Sequence, residues 1–446
     1  MIDRRLFLGA AACAAFPFIP ASPAFAATER LFTAAQLRED FDQFLATVRD
    51  THPDLGFSTD LTALDAAATR IRRRLDRSMD VRQAWLEMAR INPVFRDAHV
   101  GLRQPVDDYE SYRRSGGATF DVPVFLDRAG RLRVAETIAS ASRLKPFEEV
   151  VAINGSPVAG IIDALGPRMR GETPSLQRFV LTYNFASLLW TLHGARSGYE
   201  VRTVDSESRA RVFRLGANDG GGGPLDPARA ISLQRPGPGV AVLRVRSFDP
   251  SLKTPFAAFV ESTFARLKTE GVRTLCIDVR DNPGGAHDLS DLIVARLARR
   301  PAATASRLVA RITEANREVS PGAAIGSVVT TPWNGAVTPQ SPGFEGRTYV
   351  LVSRDTYSQA IVFATTLKDH GLATVVGETT GGNANQTGQI TPRPLTHTRL
   401  QALAPVYVIY RPSGDERPGG LAPDIPLPHD PSRPEAMVDA LLQRIA

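Results

Sequence analysis

Two short stretches of this chain combine residue types that could carry out acyl transfer. The first is Arg280-Asp281-Asn282-Pro283-Gly284-Gly285, which follows Asp278-Val279. Adjacent glycines there let backbone N–H groups face a bound oxygen with no side chain in the way, so the pair is an oxyanion-hole candidate. The same pair also suits a tight turn that needs glycine for its dihedral angles. The second stretch is Asp355-Thr356-Tyr357-Ser358-Gln359-Ala360. Ser358 falls at the start of a helical pattern, where a hydroxyl can simply cap the helix. The same place suits a nucleophile, because unpaired N–H groups and the positive end of the helix dipole stabilise a tetrahedral oxyanion. The flanking residues do not form Gly-x-Ser-x-Gly, which argues against the nucleophile elbow that such a motif builds.

The elements that must position these groups alternate between strand and helix. Val240 to Val245 reads as a strand, and Thr254-Pro255 opens a helix with Phe256, Phe259, Val260, Phe264 and Leu267 at helical spacing. Thr274 to Val279 is the next strand. The unit repeats through a helix from Leu289 to Leu297, a strand Tyr349 to Val352, a helix from about Ser358 to Lys368 and a strand Thr374 to Val376. Such alternation predicts a mostly parallel sheet with helices on its faces and active groups beyond the carboxyl ends of the strands. Upstream, residues 31 to about 110 read as helical. Thr33 and Gln36 form a capping box, Leu37, Phe41, Phe44, Leu45 and Val48 recur at helical spacing, and His52-Pro53 ends the run. A second stripe runs from Leu61 to Leu75 and a third surrounds Trp85 and Met88. The period then changes to short strands: Phe120 to Leu126 and Leu132 to Ala135 as a hairpin, Glu149 to Gly155 into an Asn-Gly turn, then Tyr199 to Val204 and Ala210 to Leu215. Gly220 to Gly223 mark a linker or loop.

With 446 residues the chain should hold two to four domains. At 43% apolar and 22% charged it reads as globular, which excludes a wholly disordered or fibrous chain. The 53 basic and 47 acidic residues are near balance and scattered, without the clustered patch of a nucleic-acid footprint. No stretch after residue 30 stays apolar for the roughly 18 residues of a membrane span. The first 26 residues look like an export signal: Arg4-Arg5, then Leu6-Phe7-Leu8 and an alanine-rich run, then Ala24-Phe25-Ala26 before Ala27. The paired arginines resemble a twin-arginine signal, so a mature protein starting near Ala27 and working in the periplasm or outside the cell is expected. Cys13 lies inside the signal, which leaves Cys276 without a partner for a disulfide or a paired-cysteine metal site.

Four motifs taken in order resemble the S41 peptidases, the tail-specific or C-terminal processing proteases and their tricorn-like relatives. They are Asp278 to Gly285, Tyr357-Ser358-Gln359-Ala360, Val376-Gly377-Glu378-Thr379-Thr380-Gly381-Gly382, and Gly420-Leu421-Ala422-Pro423-Asp424-Ile425. The resemblance implies an α/β, crotonase-like peptidase core over residues 237–430, with Ser358 as nucleophile. The N–H of Gly284 or Gly285 and that of Gln359 would form the oxyanion hole. Leu144 to Val158 looks like the end of a PDZ-type module, whose carboxylate-binding loop would open at Gly116-Gly117. The expected organisation is an export signal (1–26), an N-terminal helical domain (27–115), a PDZ-like β-rich module (116–219), a linker (220–236), the core (237–430) and a C-terminal helix (431–446).

The processing proteases place a lysine base after the Gly-Glu-x-Thr-x-Gly segment, and this sequence has Asn383 there. Of its lysines, Lys145, Lys253 and Lys268 match no base position, and Lys368 lies about 15 Å from Ser358 along a helix rising 1.5 Å per residue. His370 is about 18 Å away by the same arithmetic. Asp97-Ala98-His99-Val100-Gly101-Leu102 resembles the Asp-Gly-His-Thr segment of the tricorn-like branch, where a histidine from an upstream domain acts on the serine, so His99 is the expected base, with His287 as a fallback. That branch has a serine before the histidine, where this chain has Ala98. Its orienting glutamate resembles Glu416, with Glu378 the alternative of a structural acid at a strand end. The expected protein is an exported serine endopeptidase that hydrolyses unfolded or C-terminal protein segments, with no metal or organic cofactor. The resemblance leaves the oligomeric state open. The alternative is a catalytically inactive peptide- or small-ligand-binding protein on the same fold.

Overall fold

The computed structural model describes residues 30–136, 144–216 and 227–445. The expected export signal and Gly220 to Gly223 lie outside the described residues. The N-terminal part begins with the helix Ala34–Thr51, whose Thr33 and Gln36 exchange the two bonds of a capping box and whose Leu37, Phe41, Phe44, Leu45 and Val48 stripe is buried. The helices Leu61–Arg74 and Val81–Met88 follow, each opened by an aspartate cap, Asp60 and Asp80. The β-rich part is an antiparallel sheet in the order Val124–Leu126, Leu132–Val134, Glu149–Ile153, Tyr199–Val204, Ala210–Leu215. Between its third and fourth main strands the chain inserts the helices Val158–Leu165, Pro174–Tyr183 and Phe185–His193, for which the sequence patterns above give no reading. Phe41 and Trp85 of the helical part share one continuous core with Phe120, Leu165 and Val201 of the β-rich part.

The second half is built on a six-stranded sheet in the order Ile425–Pro426, Thr374–Gly377, Arg347–Val352, Thr274–Asp278, Val240–Val245, Ile231–Gly237. All neighbours are parallel except the last pair. Because strand side chains alternate, Leu275, Ile277, Val350 and Val352 face a core with Phe256, Phe264, Ile293 and Phe363 from the three crossover helices. Cys276, Tyr349, Leu351 and Val376 face the other way, onto Met437, Val438 and Leu441 of the C-terminal helix Ala436–Ile445. The helices therefore do cover both faces of the sheet, giving a mixed α/β fold.

A third, antiparallel sheet joins the halves. Its long strand Gln401–Tyr410 pairs with Gln386–Pro394, with Arg307–Arg311 and with the two-residue strand Gly101–Leu102. Gly101 lies opposite Leu403 and Leu102 opposite Ala402. Leu395, Leu400, Ala402 and Ala404, from late in the chain, are buried in the core of the N-terminal half. This pairing fixes the segment just after His99 against the second half.

Candidate active site

The strand Thr274–Asp278 ends in a buried ion pair: Arg280 donates to both oxygens of Asp278 at 2.8 and 2.7 Å. The chain then turns around Asn282, whose Nδ2 donates to the Val245 carbonyl at 3.0 Å and whose Oδ1 accepts the Gly284 N–H at 2.8 Å. Both glycines lie in the left-handed region, at φ +96° and +136°. The freedom is needed here, because a Cβ on Gly284 would lie 2.7 Å from the Gln359 nitrogen and one on Gly285 would lie 2.1 Å from the Phe248 carbonyl oxygen. Gly284 thus brings its α-carbon against the serine turn while its own N–H is already committed. The amides of Gly285 and Gln359 have no acceptor among the described residues. Of the three expected donors, these two are available for an oxyanion.

Ser358 precedes the helix Gln359–Asp369, and its side chain makes no capping bond. Its backbone sits at φ +51°, ψ −125°, a conformation that side-chain-bearing residues adopt only under constraint. The constraint is visible: Tyr357 N–H donates to the Asn282 carbonyl at 3.0 Å and Thr356 Oγ1 to the Val279 carbonyl at 2.8 Å. The turn carrying Ser358 is therefore bonded to the turn carrying the glycines. The strained backbone turns the hydroxyl away from the helix N-terminus, and Ser358 Oγ lies 3.0 Å from His99 Nε2.

The other nitrogen of His99 is held by three groups. Nδ1 lies 2.8 Å from the Tyr357 hydroxyl, 3.2 Å from Thr387 Oγ1 and 3.6 Å from an oxygen of Asp97. Thr387 donates to the second Asp97 oxygen at 2.8 Å, and the His99 backbone N–H donates to the first at 2.7 Å. The imidazole also stacks on the Tyr357 ring, with centroids 4.8 Å apart. Burial works to raise the Asp97 carboxyl, but the contacts with His99 and Thr387 outweigh it and hold the group below the ordinary carboxylate range. Burial, with Glu172 and Asp97 nearby, pushes the Tyr357 phenol well above its usual value, so it stays protonated.

Glu416 is not where the resemblance puts it. Its side chain is 61% exposed and pairs with Arg307 at 2.8 Å, and the acid that meets His99 is Asp97. Asp97 stands two residues before the histidine in the same motif, and that spacing, which lets its carboxylate take the histidine's own N–H, is the sequence signal for it. Thr387 and Tyr357 carried no sequence signal. His287 has an exposed side chain paired with Asp291, Lys368 bonds the Ala422 carbonyl and Asp424, and His370 donates to the Ala303 carbonyl. Glu378 is a mostly buried acid between Arg128 and Arg354 at a strand end. Burial pushes the Cys276 thiol up to about 12, which leaves it unreactive. Among the described residues no group of three or more histidine, cysteine or acidic side chains could hold a metal ion.

Residues 239–427, which carry the glycine turn, Ser358 and the later motifs, match the family model for peptidase family S41. Over these residues the chain is similar to the S41 peptidases, and the match supports a serine peptidase. The chain superposes on a crystal structure of mature CPAF with a TM-score of 0.61 at 15% identity, covering 92% of this chain and 96% of that one. A structure of a CPAF mutant gives 0.63 at 13% identity with the same coverage. A photosystem II D1 C-terminal processing protease gives 0.49 at 18% identity over 89% of this chain and 93% of that one. At such identities the likeness to CPAF is one of fold, and it extends over almost the whole of both chains. No curated protein matches the sequence.

Proposed function

We propose that this chain is a serine peptidase of the S41 type that cleaves peptide bonds with Ser358 as nucleophile, His99 as general base and acid, and Asp97 as the group that orients the histidine. The observation that carries the reading is the 3.0 Å contact between Ser358 Oγ and His99 Nε2. With Nδ1 protonated and facing Tyr357, Thr387 and Asp97, Nε2 presents its lone pair to the serine hydroxyl. Ser358 gives its proton to Nε2 as its oxygen attacks the substrate carbonyl, and the imidazolium returns that proton to the leaving amine. The carbonyl oxygen, now negative, accepts from the N–H groups of Gly285 and Gln359 at the positive end of the helix Gln359–Asp369. Water, deprotonated by the same imidazole, then releases the acyl group from the serine.

The substrates are unfolded or C-terminal protein segments, and the core is crotonase-like. A cavity of about 380 Å³ lies between the strand Val124–Leu126 and the helix Pro174–Tyr183, and reaches Asp281 and Asp355. That strand is the last of its sheet, so its free edge can accept an extended peptide as a further strand, as a PDZ-like module does. Arg4-Arg5 and Ala24-Phe25-Ala26 support export before the enzyme works. A fluorophosphonate probe tests the assignment: labelling of the parent protein that disappears in Ser358→Ala supports it, and no labelling of either supports a ligand-binding protein instead.

A further inference from the structure

The segment between the short helical turn Gly166–Arg168 and the helix Pro174–Tyr183 lies across the catalytic junction. The Arg170 guanidinium donates to the Ala98 carbonyl at 2.6 Å. One oxygen of Glu172 accepts the Ala98 N–H at 3.3 Å, and the backbone N–H of Asn383 is close enough to the same carboxyl to favour its charged form. Thr173 Oγ1 donates to the Gly381 carbonyl at 2.9 Å. Three residues in four therefore join the residue before His99 to the 381–383 segment of the nucleophile's domain. Position 98, bonded by both Arg170 and Glu172, and position 383, two residues after the Gly381 that Thr173 bonds, are also places where the sequence departs from the pattern it resembles.

The stem of Arg170 fixes a further point. Gly101 has φ +145°, and a Cβ there would lie 2.7 Å from Arg170 Cδ and 2.6 Å from Asn92 Oδ1. Arg170 thus packs over the strand that follows His99, as well as bonding the residue before it. The loop bearing the imidazole is held at both ends by one side chain.

We propose that Arg170, Glu172 and Thr173 form a strap that positions His99 against Ser358. The inference rests on the reading of His99 as the base and adds the residues that aim it. The strap residues act through the backbone of residues 98 and 381–383, so they set the approach of the base and leave substrate binding alone. Burial, with Asp97 close by, raises the Glu172 carboxyl well above its ordinary value, and a carboxamide keeps its shape and an acceptor oxygen.

The test measures the second-order rate of fluorophosphonate labelling, together with kcat and KM on an internally quenched peptide that the parent protein cleaves. Glu172→Ala is expected to lower the labelling rate and kcat by about 10- to 100-fold with KM within about twofold, the scale of a misplaced catalytic group. Glu172→Gln should return both to within about threefold of the parent. Thr173→Val, which removes one hydroxyl and keeps the shape, should lower kcat several-fold with unchanged KM, and stands in should Glu172→Ala not fold. Equal labelling and kcat in the parent, Glu172→Ala and Thr173→Val would overturn the strap, as would a loss confined to KM. Labelling of the parent that survives Ser358→Ala overturns the nucleophile assignment, and the strap with it.

Discussion

The side chains of His99 and Ser358 meet at 3.0 Å across 259 residues of sequence. The contact depends on the pairing of Gly101–Leu102 with Gln401–Tyr410, which carries a loop from the N-terminal half to the mouth of a helix in the catalytic half. Two groups that act as one unit give non-additive losses. Ser358→Ala and His99→Ala are each expected to lower kcat by about 10⁴-fold or more, and the double variant should be no slower than the slower single one. Additive losses on a logarithmic scale would show that the two side chains do not share a step.

Asp97 and Glu416 make opposite predictions. Asp97 is buried, takes the backbone N–H of His99 and the hydroxyl of Thr387, and faces Nδ1. Asp97→Asn keeps the shape but removes the charge that favours the Nδ1–H tautomer and the imidazolium, and should lower kcat by about 10² to 10⁴-fold with the fold intact. Glu416→Gln loses only an exposed contact with Arg307 and should leave kcat within about twofold. A large loss in Glu416→Gln with little in Asp97→Asn would reverse the assignment.

The parts legible in the sequence were those set by local pattern. Capping at Thr33, the helical stripe from Leu37 to Val48 and the strand-helix alternation after Val240 each follow from spacing within one or two elements, and each is present. His99 was legible because its motif is contiguous. The joining sheet was not: Gln401–Tyr410 is apolar on both sides and holds Pro405, and its partners come from positions near 101, 307 and 386, which no local period can announce. For the same reason Thr387 and Tyr357, placed by that sheet and by the serine turn, gave no signal. Glu416 rests on a resemblance carried only by its distance from a motif, and a loop on the surface does not preserve such distances.

The glycine turn sets a steric prediction. A Cβ on Gly284 would lie 2.7 Å from both the Gln359 nitrogen and Ser358 Cβ, so Gly284→Ala must push the serine turn away from the glycine turn. Losing one aligned oxyanion donor costs about 10²- to 10³-fold in kcat. Gly284→Ala should fall in that range and should also slow fluorophosphonate labelling, because the phosphoryl oxygen uses the same amides. An alanine variant that labels at the parental rate would place the oxyanion elsewhere.

Three residues before the serine, Asp355 supplies a test by pH. Burial, with Asp281 beside it, pushes its carboxyl up to about 7, despite the opposing charges of His429 and Arg354. In the unfolded chain the group releases its proton near the ordinary 3.8. Between those values the folded state binds more protons than the unfolded one, so this group costs stability progressively as pH rises from about 4 to about 7, and the cost stays constant above that. Each pH unit of separation is worth about 1.4 kcal/mol at most, and partial solvent access to the site reduces the total to about 2 kcal/mol. Asp355→Asn mimics the neutral acid, so it should match the parent in thermal stability at pH 4 and melt several degrees higher at pH 8. A melting difference that is the same at both pH values would mean that Asp355 does not titrate in this interval. The active-site turn then carries no such cost.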